Sequence, residues 1–78
     1  MADGGQGDTD PRRVAFGNRI RALRESRNLS QESLAETSHL HRTYVSSVER
    51  GQRNIGLDNI FNLADALGVP AAELFRDL

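Results

Sequence analysis

The amino-acid sequence predicts an all-α protein, a compact bundle of five short helices. Apolar residues recur at helical spacing, at i, i+4 and i+7 for Phe16, Ile20 and Leu23 and at i, i+3, i+4 and i+7 for Ile60, Leu63, Ala64 and Leu67. No stretch sustains the period-two alternation of a half-buried strand. The periodic stretches are separated by residues that cap or stop helices. With 78 residues, 37% hydrophobic and 27% charged, the chain has room for one small globular domain and not for two. It has no cysteine, so neither a disulfide framework nor a thiolate metal site can staple the fold, and packed helices must supply the core.

The elements follow in order. Residues 1–11, MADGGQGDTDP, hold three Gly, three Asp and almost nothing apolar. Such a segment cannot bury enough surface to offset its ordering entropy, so it reads as a disordered, acidic, Gly-rich tail before a domain over 12–78. A first helix is expected from about Pro11–Arg13 to Arg27, closed by Asn28, which tolerates a left-handed cap. Ser30 reads as the N-cap of a second helix ending near Ser38, with Leu34 and Ala35 inward. Ser33 stands where a Glu or Gln would complete a capping box. A break at His39–His41 leads to a third helix from about His41 to Arg50, stopped by Gly51, with His41 able to cap it. After the loop 52–56 comes a fourth helix, its N-cap Gly56 or Asp58 and its stop Gly68. Pro70 opens a final short helix with Leu74 and Phe75.

The net charge of −1 conceals a segregation. Residues 1–11 carry −3, residues 12–53 carry nine Arg against four Glu, and residues 54–78 return to −3. Segregated basic charge points toward nucleic acid. All ten basic residues are Arg, so no Lys exists for a Schiff base or a phosphate loop. No carboxylate pair is placed for acid/base work and no Ser has an evident His partner, so no enzyme is expected. His39 and His41 lack a third ligand at matching spacing, so neither metal nor cofactor is expected. There is no apolar window of roughly 18 residues and no secretory leader, which excludes a membrane span and suggests a cytoplasmic protein.

The segment SQESLAETSHLHRTYVSSVERG holds the second and third helices across a tight turn, an arrangement in which one helix can brace the other in a groove. At about 100° per residue, the third helix turns Val45 and Val48 inward. Its outer face presents Thr43, Ser46, Ser47 and Arg50, flanked by Arg42 and Tyr44. That face holds hydroxyls and guanidinium groups and no carboxylate, a set that donates to phosphates and base edges. A solvated face on an ordinary helical hairpin would read the same way, so the face alone leaves both open.

The elements FGNRIRALRE, LSQESLAE, YVSSVERGQRN and LDNIFNLADALGV, in this order, resemble the helix-turn-helix of the Cro/phage-repressor class, the XRE-like family, over about residues 14–75. The run RTYVSSVERGQRN further resembles the small controller proteins of restriction–modification systems. The resemblance implies a lambda-repressor-like DNA-binding domain that regulates transcription from a palindromic double-stranded operator as a homodimer, associated with the bacterial nucleoid. It implies base contacts from Arg42, Thr43, Ser46 and Ser47, with Arg42 suited to guanine O6 and N7. It assigns Gln31, Tyr44, Arg50, Arg53 and Asn54 to the sugar-phosphate backbone, and Arg24 and Glu49 to a buried ion pair. His39 departs from the family, which usually has Gly at that turn. Phe61 and Phe75 lie roughly 100° off their apolar stripes and either complete the small core or form a two-fold interface. The interface is the reading adopted, because one monomer spans too few base pairs for good specificity. Two alternatives are an antitoxin-type repressor that also binds a toxin, and a helical adaptor that binds only protein. No small-molecule substrate is expected.

Overall fold

A computed structural model describes residues 10–78. Most of the expected tail, residues 1–9, lies outside the described residues, but its last two belong to the first helix. The Asp10 side chain accepts from the Arg12 backbone N–H at 2.8 Å, and Pro11 supplies the preset first residue of α1 (Pro11–Ser26). Asn28 takes the left-handed conformation after α1, at φ 57°. The Ser30 hydroxyl caps α2 (Gln31–Ser38) by accepting from the Ser33 N–H at 2.9 Å. His39, at φ 62° and ψ 33°, closes α2 in the left-handed region and reverses the chain into α3 (Arg42–Glu49). The imidazole is thus accommodated where Gly is usual. His41 occupies the N-cap position of α3, but its side chain makes no capping bond. Gly56 precedes α4 (Leu57–Leu67), and Gly68 ends it at φ 73°.

The fifth expected helix is a 3-10 turn, Ala71–Phe75, so the described residues form four α-helices and one such turn. Five residues between Pro70 and Arg76 can close few i→i+4 bonds, and the segment tightens to i→i+3 bonds such as Glu73 N–H to the Pro70 carbonyl at 2.9 Å. Arg19 of α1 pins this turn, donating to the Glu73 carbonyl at 2.8 Å and to its carboxylate at 3.1 Å.

The core draws on every element. Phe16, Ile20 and Leu23 meet Leu34 and Ala35 of α2, Val45 and Val48 of α3, Leu63, Ala64 and Leu67 of α4, and Leu74 of the turn. Full burial of each large aliphatic side chain stabilises by about 1.5–3 kcal/mol. Gly17, inside α1, lets the last turn of α3 rest on the α1 backbone. A Cβ there would stand 2.6 Å from the Glu49 carbonyl oxygen and 2.8 Å from its carbon. This crossing fixes the depth at which α3 sits. Gly51, at φ 78°, likewise presses against α1, where a Cβ would lie 2.8 Å from the Val14 Cα. Among the described residues no helix is long and apolar enough to cross a membrane.

Candidate nucleic-acid interface

The α2–turn–α3 unit is held from beneath. Ser38, buried at the end of α2, donates to the Leu34 carbonyl at 2.6 Å, so its hydroxyl is satisfied within the core. Val45 and Val48 lock α3 onto that base, leaving Arg42 and Thr43 exposed at its start and Ser46 half-buried one turn later. Arg50 is exposed at the far end, where its guanidinium donates to the Ser46 hydroxyl and to Gln52 Oε1. Glu49, the one acid of α3, points the other way, its side chain 0% exposed. The outward face of α3 therefore carries cationic and hydroxyl groups with no opposing carboxylate of its own.

Ser47 does not stand on that face, contrary to expectation. It is 6% exposed; its hydroxyl donates to the Tyr44 carbonyl at 2.8 Å and accepts from Arg53 Nε at 2.9 Å. The loop after α3 folds back over it, with the Gln52 N–H bonded to the Ser47 carbonyl at 2.9 Å. Helical periodicity reports which side of a helix meets the core and is blind to a returning loop. Ser47 is a brace for Arg53 rather than a group offered outward.

The same loop builds a second cluster. The Arg53 guanidinium lies 5.3 Å from the centroid of the Tyr44 ring, a cation–π distance. Asn59 of α4 donates to the Tyr44 hydroxyl at 3.1 Å. Tyr44 is thereby held between α4 and the loop, with Arg53 arched over it; Asn54, next in the chain, is exposed. Tyr44 and Arg53, two of the five residues assigned to a phosphate backbone, are thus brought together at one edge of α3.

Glu49 is the hub of the interior. Arg24 grips it at two points, Nε to Oε2 at 2.6 Å and Nη2 to Oε1 at 3.0 Å. Gln31 Nε2 donates to the same Oε1 at 3.0 Å, and Arg21 Nε approaches it to 3.6 Å. Burial by itself would raise the Glu49 carboxyl, but the hydrogen bonds from Arg24 and Gln31 outweigh it and hold the group below its ordinary value of 4.5. The hydrogen bonds to Glu49 in turn push the Arg24 guanidinium further up. Arg24 also donates to the Leu29 carbonyl at 2.8 Å, so one side chain ties α1, the α1–α2 link and α3 together. Gln31, at the start of α2, commits one amide hydrogen to Glu49.

A family model described as helix-turn-helix matches residues 20–74, which spans all of this geometry. The chain belongs to the helix-turn-helix family. Control protein C.BamHI of Bacillus amyloliquefaciens is 51% identical over 63 residues, covering 80% of this chain and 78% of that protein. Control protein C.MunI of a Mycoplasma species is 45% identical over 67 residues, covering 85% and 90%. The crystal structure of the restriction-modification controller protein C.AhdI from Aeromonas hydrophila superposes with a TM-score of 0.80 at 56% identity, covering 81% of this chain and 96% of that one.

This helix-turn-helix chain also exposes several large apolar side chains on α4 and toward its C-terminal end. Leu57 is 65% exposed, Phe61 48%, Phe75 47% and Leu78 51%. Phe75 packs partly on the core, its ring 5.2 Å from that of Phe16, and stays 47% exposed. An open groove of about 510 Å³ runs alongside Phe75, lined by Phe16, Ile55, Ile60 and Leu78 together with the polar Asp10, Arg12, Arg13 and Asn54. Sequence reasoning missed Gly17, Arg21 and Asn59. A glycine inside a periodic helix is a signal of close approach, and Arg21 lies one turn before Arg24 on the same face. Asn59 gave no signal, because its partner is fifteen residues away in sequence.

Proposed function

We propose that the chain is a sequence-specific DNA-binding transcriptional regulator of the controller type, acting in the bacterial cytoplasm on double-stranded DNA as a homodimer. The observation that carries this reading is the face of α3, where Arg42, Thr43 and Ser46 point outward while the helix's one carboxylate is buried on Arg24. Arg42 donates two hydrogen bonds to guanine, and Thr43 and Ser46 contact neighbouring base edges. Gln31, Tyr44, Arg50, Arg53 and Asn54 hold the sugar-phosphate backbone and set the register of the helix in the major groove. Ser47 contributes through Arg53. The names of the relatives, control proteins of restriction–modification systems, support the controller assignment.

The exposed Phe61 and Phe75 support a two-fold interface, in which two recognition helices reach successive major grooves of a palindrome about one helical turn apart. No catalytic step and no cofactor enters this function.

Affinity for a labelled duplex in rising salt tests it. A regulator loses affinity steeply, because each phosphate it neutralises releases counterions. A protein-binding adaptor that kept the fold would show no binding to the duplex at any salt.

A further inference from the structure

The mechanism above leaves one cation at the edge of the site without a role. Arg21 projects from α1 beside Gln31, and its side chain is 47% exposed. It shares Glu49 Oε1 with Gln31 and Arg24, but the three do not share it equally. Arg24 holds both carboxylate oxygens within hydrogen-bond distance, at 2.6 and 3.0 Å, and Gln31 takes a further bond at 3.0 Å. Arg21 stands at 3.6 Å, outside hydrogen-bond range, and among the described residues this is its one ion contact. One carboxylate thus faces two guanidinium groups and is already matched by the buried one. Arg21 is the more exposed of the two and is not held to the carboxylate by a hydrogen bond.

We propose that Arg21 is a further phosphate-binding residue, which with Gln31 holds a single phosphate of the DNA backbone. The inference rests on the DNA-binding reading and extends it to a residue on α1. Glu49 acts as a tether: its attraction restrains the long Arg21 side chain next to Gln31 without consuming its N–H donors. Both groups then present donors on the same side of the same carboxylate oxygen, Gln31 one amide hydrogen and Arg21 a full charge. A contact of this kind positions the protein and carries no sequence information.

The test compares wild type, Arg21→Gln and Arg21→Lys on a random-sequence duplex, by fluorescence anisotropy between 50 and 200 mM KCl. One neutralised phosphate contributes about 0.9 to the slope of log affinity against log salt. Arg21→Gln is expected to reduce the slope by about 0.9 per protomer, so that this fourfold rise in salt weakens binding about 3.5-fold less per protomer. Arg21→Lys keeps the charge and is expected to keep the slope. Thermal unfolding of all three, followed by circular dichroism, separates binding from folding. An unchanged slope for Arg21→Gln, whether or not its melting point falls, overturns the proposal and leaves the DNA-binding reading intact. A wild type without any salt slope overturns both.

Discussion

Replacing Glu49 with Gln removes one charge from the hub while keeping its shape. In the wild type the Glu49 side chain is 0% exposed and Arg24 only 11%, so neither partner can recover full hydration if the other is neutralised. Removing one member of a buried pair costs about 3–5 kcal/mol. Arg24 keeps its bond to the Leu29 carbonyl and touches solvent, which places this site near the lower limit, about 3 kcal/mol. For a domain of this size each kcal/mol shifts the melting point by about 4–8 °C, so thermal unfolding at pH 7 should show a fall of about 12–24 °C. The pH dependence gives a second reading of the same interaction. Because the Glu49 carboxyl is held low in the folded protein, its stabilisation is complete above the ordinary value of 4.5 and is lost as pH falls through the lower folded value. The gap between wild type and Glu49→Gln should therefore be widest near neutrality and close in acid. A melting point lowered by less than about 4 °C at pH 7, or a gap that does not narrow in acid, would refute the buried pair as the lock between α1 and α3.

Gly17→Ala should destabilise by about 1–3 kcal/mol in urea unfolding despite Ala's better helix propensity, because the new methyl meets the Glu49 carbonyl; a gain in stability would mean α3 does not rest on α1 there. Arg42→Ala should weaken specific binding by about 1–3 kcal/mol and relax preference at one base position, as measured on a set of single-substitution operators. Ser47→Ala should leave base preference unchanged and weaken binding evenly across sequences, since the hydroxyl it removes supports Arg53; a changed preference at one base would return Ser47 to the reading face. Phe61→Glu should shift the protein toward monomer in sedimentation equilibrium while leaving its helical content intact, because the ring is 48% exposed in the folded chain. An unaltered dimer would place the interface elsewhere.

What could be read from the residues was what depends on nearest neighbours along the helix. The caps Ser30, Asn28 and Gly68, the buried stripe Ile60–Leu67 and the inward turn of Val45 and Val48 all follow from spacing, and the structure has them. The outward set Arg42, Thr43, Ser46 and Arg50 followed from the same periodicity. Several departures come from contacts made by other parts of the chain. Ser47 is covered by a loop that returns from Arg53, and the Tyr44 hydroxyl is bonded by Asn59 on another helix. Gly17 owes its presence to a carbonyl contributed by α3. Asp10 belongs to the tail by its acidic, Gly-rich surroundings, yet its position immediately before Pro11 lets its carboxylate cap a helix. The final helix shrank to a 3-10 turn because five residues pinned by Arg19 leave no room for a second full turn.

Selection of bound fragments from a random duplex pool at moderate salt tests the central claim most directly. The account predicts one enriched palindrome, its half-sites about one helical turn apart, and loss of that enrichment in Arg42→Ala. A pool that returns without any enriched sequence would contradict it.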